Sequence, residues 1–94
     1  MSFAAVQTVN LEGRDLAQAE QGLREELVPI LKAQPGFQNA RFLRSQDGRT
    51  GVGAMMFDTE SNAKACLDMM ASERPEGAPP IIRTEILELV VEAQ

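Results

Sequence analysis

The segment comprising residues 32–57 constrains the fold more than any other part of the chain, because a helix end and a hairpin follow each other directly. Pro35-Gly36 marks the helix end, since proline disfavours helical geometry in the residue before it and glycine can adopt the left-handed conformation that closes a helix. Two extended runs follow, residues 37–44 and 51–57. Asp47-Gly48 between them supplies the positive φ of a tight turn. The segment therefore predicts a helix that leads into a β-hairpin.

The remaining elements follow from the spacing of apolar residues. Period two indicates a strand, and intervals of three and four indicate an amphipathic helix. Pro29 interrupts the first helical pattern, where its missing N–H and its ring predict a kink or a break, and the pattern continues beyond it. The predicted elements are a strand from Phe3 to Leu11, one bent helix from Leu16 to about Ala33, the two hairpin strands, a helix from Glu60 to about Ser72 and a strand from Ile81 to Val91. The order is βαββαβ without repeat or linker, so we expect a single α+β domain, residues 1–94.

The third strand predicts a second subunit. Residues 51–57 are apolar on both faces, which is typical of a central strand that is covered twice. Two helices can cover one face, and a chain of 94 residues buries only about 60 to 68% of its unfolded surface. We therefore expect a homodimer that buries Leu87, Leu89 and Val91 or their neighbours on the opposite face.

Charge and composition exclude several classes of partner. Fourteen acidic and nine basic residues give a net charge of −5, which repels phosphate backbones and anionic membranes. The single cysteine cannot form an internal disulfide, and no signal peptide or apolar run of about 20 residues is present. We expect a cytosolic protein that binds neither nucleic acid nor membrane.

Most of the usual catalytic and metal-binding groups are missing. The chain has no His, Tyr or Trp, and no carboxylate cluster has metal-ligand spacing, so neither a metal nor a cofactor is predicted. Gly51-Val52-Gly53 precedes a strand rather than a helix, which argues against a nucleotide loop. RNA-recognition modules share the βαββαβ order, but Val52 and Ala54 stand where their stacking aromatics would be. Cys66 falls on the apolar stripe of the second helix and is interpreted as a core residue.

The stretch from Val28 to Met70 resembles the antibiotic-biosynthesis-monooxygenase-like group of dimeric α+β barrel proteins. The features that carry the resemblance are the helix end at Gln34-Pro35-Gly36-Phe37, the hairpin, and the step into the second helix at Met56-Phe57-Asp58-Thr59-Glu60-Ser61. The resemblance implies a ferredoxin-like subunit with a four-stranded antiparallel sheet, and two such subunits whose sheets face each other to form a barrel. It also implies a relationship to cofactor-independent oxygenases of quinols and polyketides and to haem-degrading enzymes.

Few of the functional residues of that group have a counterpart in this sequence. The haem-degrading members use an Asn, a Trp and a His; the Asn position falls near Val6 or Gln7, the Trp position falls near Cys66, and the His has no counterpart, which argues against haem degradation. Two hypotheses remain. The first, which we favour, is a dimeric module without catalysis that binds a small apolar or aromatic molecule between helices and sheet, or merely assembles. The second is a cofactor-independent monooxygenase acting on a quinol or a polyketide-like aromatic.

An enzyme of the second kind needs a base or a group that stabilises an anion. We predict Arg41 and Arg83 as catalytic anion holders, and Gln7, Asn39 and Glu85 as ligand-binding residues. Each also has a simpler interpretation, because arginines on strands are usually solvated or paired and a glutamine among apolar neighbours is usually satisfied by backbone or water. For the loop from Glu73 to Pro80 the sequence leaves both a lid and a plain connector open.

Overall fold

The predicted hairpin forms one half of a four-stranded antiparallel sheet. A computed structural model of the chain describes residues 1–74 and 77–94. Strands β2 (Phe37–Arg44) and β3 (Thr50–Phe57) pair with each other, and positive φ angles of 76° at Gly36 and 73° at Gly48 mark the helix end and the turn. Both glycines thus adopt the backbone conformation for which the sequence selects them.

Strands β1 (Phe3–Asn10) and β4 (Ile81–Glu88) complete the sheet in the order β2-β3-β1-β4. The last strand is shorter than the predicted Ile81 to Val91. Phe3, the first residue of β1, pairs with Glu88, and beyond it only the N–H of Leu89 finds a carbonyl, that of Ser2. β4 therefore ends at Glu88 because its antiparallel partner, β1, begins only at Phe3.

The first helix spans residues 16–32 and changes its winding before Pro29. It consists of α1 (Leu16–Gly22), a π-helical turn (Leu23–Leu27) and α2 (Val28–Lys32). The N–H of Val28 donates to the carbonyl of Leu23, five residues back. Since proline has no N–H and its ring crowds the carbonyl four residues earlier, a wider turn accommodates it without ending the helix. The distortion predicted near Pro29 is confirmed, and its form is a π-turn.

The second helix, α3 (Glu60–Ser72), packs on the same face of the sheet as the first. Thr59 caps it, with its side chain accepting from the N–H of Asn62 at 3.1 Å. The fully buried core lies between this helix, the end of α2 and the two central strands, and consists of Ala5, Leu31, Met55, Phe57, Ala63 and Cys66. The interpretation of Cys66 as a core residue is confirmed.

The opposite face of the sheet has no covering element among the described residues; we call it the open face. Strand pairing arranges its side chains in three rows that cross all four strands from β2 to β4. The rows are Leu43-Val52-Thr8-Arg83, Arg41-Ala54-Val6-Glu85 and Asn39-Met56-Ala4-Leu87.

Two further expectations concern membrane spans and the last loop. None of the helices in the ranges 1–74 and 77–94 has the length and apolar character needed to cross a membrane. Residues 75 and 76 of the loop predicted between Glu73 and Pro80 lie outside the described residues, and the choice between lid and connector stays open.

Candidate functional site

A groove separates the first helix from the sheet. Of this helix, Leu31 belongs to the core and Leu27 packs against it, whereas α1 lies away from the strands. The groove has a volume of about 1480 Å³. Its floor and walls include Gln7 and Val9 of β1, Phe42 of β2, Gly51 and Gly53 of β3, Leu16, Ala19 and Leu23 of the first helix, and Met69 and Met70 of α3. Small-molecule sites in proteins are typically clefts of this kind, lined by apolar side chains with a few polar groups.

Gln7 is a polar side chain buried in the floor of this groove. Period two places it on the same face as the core residue Ala5, and the residue is 7% exposed. In the part of the chain that the structure describes, Nε2 of Gln7 is buried and has no hydrogen-bond partner. Leaving such a donor unsatisfied costs about 1 to 3 kcal/mol. The floor of the groove therefore contains a buried amide N–H without an acceptor.

Two glycines of β3 keep the floor beside Gln7 flat. A Cβ added to Gly53, which pairs with Gln7, would lie 2.9 Å from Cε1 of Phe42. A Cβ added to Gly51 would lie 3.0 Å from Cδ1 of Leu11. Because glycine has no side chain, the Phe42 ring and the Leu11 side chain can lie directly over the strand. The result is an apolar, partly aromatic surface next to an unpaired amide donor.

At one end of the groove, a hydrogen bond joins the segment between β1 and α1 to the segment between α3 and β4, and a second one lies within the latter segment. The Arg14 guanidinium donates to the carbonyl of Gly77, and the Arg74 guanidinium donates to the carbonyl of Pro79. Both arginines line the groove, as do the neighbouring Glu12 and Asp15. Charged groups of both signs therefore lie at this end, and the apolar floor lies behind them.

Four of the five predicted site residues lie on the other side of the sheet. Arg41 and Asn39 are on the open face of β2, and Arg83 and Glu85 are on the open face of β4. Nε of Arg83 lies 2.8 Å from a carboxylate oxygen of Glu85, and the arginine side chain is 69% exposed. Only Gln7 of the five lines the groove. The catalytic and ligand-binding roles predicted for the other four stay predictions, and a ligand in the groove of the same subunit would not contact them.

The groove residues that sequence reasoning missed are Phe42, Met69, Met70 and the glycines of β3. A signal was present for the glycines, because glycine at alternate positions of a strand marks a close approach to the backbone. The methionines carry no such signal, since apolar residues on a helix face are usually core.

Neither a nucleophile nor a metal centre emerges from the described residues. Burial raises the pKa of the Cys66 thiol to about 11, so the thiol stays protonated near neutral pH and is a poor nucleophile. In the ranges 1–74 and 77–94, no three His, Cys, Asp or Glu side chains are grouped so that they could hold a metal ion. What the groove does contain is an apolar lining and, in its floor, the unpartnered amide nitrogen of Gln7.

Comparisons with solved structures identify the fold. A putative antibiotic biosynthesis monooxygenase from Bordetella bronchiseptica superposes with a TM-score of 0.73 at 14% identity over 96% of this chain and 98% of that one. SnoaB, a cofactor-independent oxygenase from Streptomyces nogalater, superposes with a TM-score of 0.74 at 14% identity over 97% of this chain and 95% of that one. A monooxygenase from Streptomyces coelicolor, in complex with nanaomycin D, superposes with a TM-score of 0.69 at 18% identity over 99% of this chain and 91% of that one. No protein-family model matches the sequence, and no curated protein matches it.

These similarities cover nearly the whole length of both chains in each pair, and the element order and four-stranded antiparallel sheet agree with the ferredoxin-like arrangement that the sequence implied. At identities of 14 to 18% they establish the architecture and leave the activity open. The chain has the fold of the antibiotic-biosynthesis-monooxygenase-like proteins, as the sequence resemblance indicated.

Proposed function

We propose that this protein, a single domain over residues 1–94, binds a small, planar, largely apolar molecule in the groove between the first helix and the sheet. The observation that carries the proposal is the buried, unpartnered Nε2 of Gln7 beside the flat floor of Phe42 and the β3 glycines. A ligand with a carbonyl or phenolic oxygen would satisfy this donor while its ring lies on the apolar floor. Support comes from the Streptomyces coelicolor neighbour, whose structure contains nanaomycin D.

The test is ligand binding by wild type and by Gln7→Met. A panel of aromatic ketones, naphthols and quinones would be titrated by isothermal calorimetry, after native mass spectrometry of freshly purified protein for a retained ligand. Loss of one hydrogen bond to a buried donor predicts about five- to 150-fold weaker binding by Gln7→Met. The matched control is Gln38→Met, because Gln38 is exposed on β2 and outside the groove. Equal affinities of wild type and Gln7→Met would refute the role of this amide.

A second candidate function is oxygenation of the bound molecule without a cofactor. SnoaB, which has the same fold, is a cofactor-independent oxygenase. In such a reaction a substrate carbanion reacts with oxygen, and the protein positions the substrate and stabilises its anion. In this second candidate, Gln7 would be the donor to an oxyanion in the groove, whereas Arg41 and Arg83 would serve a substrate on the open face.

Oxygen uptake with a quinol separates these possibilities. Oxygenation in the groove predicts lost uptake in Gln7→Met and unchanged uptake in Arg41→Ala and Arg83→Ala. The reverse pattern would support the roles predicted for the two arginines. Absence of uptake in wild type with every substrate that binds would favour a binding protein.

We further propose that two copies associate through the open face. Leu43 and Leu87 on this face are 58% and 47% exposed. The accessible surface of the chain is 6406 Å², about 1000 Å² more than a folded monomer of this size usually exposes. A standard protein interface buries about 800 Å² per partner. Light scattering at micromolar concentration should give twice the chain mass, and a monomer would refute the dimer.

Two smaller expectations complete the proposal. We place the protein in the cytosol, where a free thiol such as that of Cys66 stays reduced. We also expect no nucleic-acid partner, because the net charge of −5 opposes phosphate binding. A filter-binding assay at low salt that retained RNA or DNA would contradict the second expectation.

A further inference from the structure

The open face carries opposite charges at its two edges, at the same level along the strands. Arg41 on β2 and Glu85 on β4 are the ends of one row, with Ala54 and Val6 between them. Three inter-strand spacings separate the two charged residues, or about 14 Å. The two cannot pair within one chain, and apolar side chains lie between them.

We propose that Arg41 of each subunit forms an ion pair with Glu85 of the partner subunit, and that this pairing sets the orientation of the two sheets. The inference rests on the homodimer proposed above. Two packed sheets lie about 10 Å apart, a distance that the long side chains of arginine and glutamate can bridge together. An isologous dimer repeats the contact, so the interface contains two such pairs.

The charge pattern selects between two orientations of the two-fold axis. An axis parallel to the strands places the β2 edge of one sheet opposite the β4 edge of the other, so that Arg41 faces Glu85. An axis perpendicular to the strands, within the interface plane, places each edge opposite its own copy. Arg41 would then face Arg41, and like charges held together across an interface cost several kcal/mol. Electrostatics therefore favour the axis parallel to the strands.

Arg83 prepares Glu85 for this contact. Its Nε lies 2.8 Å from a Glu85 carboxylate oxygen within the same chain. A carboxylate already held by one arginine has less side-chain freedom to lose when a second arginine approaches. Each edge of the dimer would thus contain three charges, Arg83 and Glu85 of one subunit and Arg41 of the other.

The occupant that fits this surface is a second copy of the chain. The apolar centre of the face, formed by Val6, Val52, Ala54 and Met56, would meet its own copy. A cation at one edge and an anion at the opposite edge make the face complementary to itself under the favoured rotation. The excess exposed area is of the size that one partner contributes to a standard interface.

Charge reversal tests the pairing. Arg41→Glu and Glu85→Arg each turn two ion pairs into two like-charge contacts, so we expect the dimer Kd to rise about a hundredfold or more in each, measured by sedimentation equilibrium. The double variant restores opposite charges across the interface but places Arg83 beside the new arginine within each subunit, so it should regain part of the wild-type affinity and bind more tightly than either single variant. Arg49→Glu is the control, because Arg49 lies in the β2–β3 turn outside the rows. Circular dichroism verifies folding, and Glu85→Gln, with a smaller expected loss, replaces Glu85→Arg if that variant fails to fold.

Subunit mixing tests the axis. With Arg41 opposite Glu85, wild type and the double variant would place Arg opposite Arg and Glu opposite Glu in a mixed dimer, so native mass spectrometry should show homodimers only. Mixed dimers at or above their statistical share would overturn the proposed orientation. Wild-type affinity in Arg41→Glu would overturn the ion pair while leaving the dimer intact. A monomeric wild type would overturn the dimer and this inference together.

Discussion

Replacement of Gln7 by methionine should stabilise the ligand-free protein. Methionine has nearly the length and volume of glutamine, so the substitution removes the amide without opening a cavity. The amide nitrogen is buried and has no hydrogen-bond partner in the described residues. Removing an unsatisfied buried donor recovers its desolvation cost of about 1 to 3 kcal/mol. The free energy of unfolding should rise by that amount, and Tm should rise by roughly 4 to 8 °C for each kcal/mol in a domain of this length.

The assay is urea unfolding followed by circular dichroism, because the chain has no Trp or Tyr to report by fluorescence. Wild type and variant must be compared at one protomer concentration, since dissociation of a dimer contributes to the measured stability. The control Gln38→Met changes an exposed glutamine and should stay within about 0.5 kcal/mol of wild type.

A destabilised Gln7→Met would refute the reasoning. It would mean that the amide makes hydrogen bonds in the folded protein, to water or to a ligand that purifies with it. Removing the ligand by unfolding and refolding before the measurement separates the two, since only a bound ligand would be lost. Stabilisation combined with loss of ligand binding is the result that identifies Gln7 as a residue retained for function at the expense of stability.

Three further substitutions probe the fold. Gly36→Ala should lower the free energy of unfolding by at least about 2 kcal/mol in a urea titration, because φ is 76° and the new Cβ would lie 2.0 Å from Oδ1 of Asp58; unchanged stability would contradict the role of this turn in ending the helix. Pro29→Ala should fold normally, since the π-turn keeps the helix continuous, and loss of its circular dichroism signal would contradict this. Between pH 9 and pH 11 the free energy of unfolding of the wild type should fall by about 2 kcal/mol, because burial raises the pKa of Cys66 from 9.0 to about 11 and the thiol of the unfolded chain therefore ionises first; Cys66→Ala should show no such loss, and an identical loss in both would refute it.

The parts of the fold that the sequence predicted are those specified by local chemistry. Gly36, Gly48 and Pro35 act within a few residues of their own position, so the helix end and the hairpin could be located without knowledge of the rest of the chain. The end of β4 could not, because it depends on where β1 begins. Pro29 predicted a distortion, but the choice between a kink and a π-turn depends on how the helix continues on both sides.

The candidate site was harder to predict because it depends on register. Alternation along a strand shows that Asn39 and Arg41 lie on the same face of β2, and that Arg83 and Glu85 lie on the same face of β4. It does not show that both pairs lie on the face opposite Gln7; that follows only from the pairing of Arg41 with Ala54 and of Glu85 with Val6. A shift of one residue in either pairing would have exchanged the faces. Gln7 could be identified as a polar residue among apolar ones, whereas its lack of a partner required the structure.

Ligand binding is proposed for one face of the sheet and dimerisation for the other. Because side chains alternate between the two faces along a strand, the two functions can be altered separately. Gln7 faces the groove and its neighbour Val6 faces the proposed partner, so β1 contributes to both faces through alternate residues. Gln7 and Arg41 lie on strands two spacings apart and on opposite faces of the sheet, so their effects on stability should add within about 0.5 kcal/mol. A double-mutant cycle of Gln7→Met and Arg41→Gln, at a fixed protomer concentration, measures this directly. A coupling well above that value would mean that dimerisation alters the sheet beneath the groove, and ligand binding would then have to depend on protein concentration.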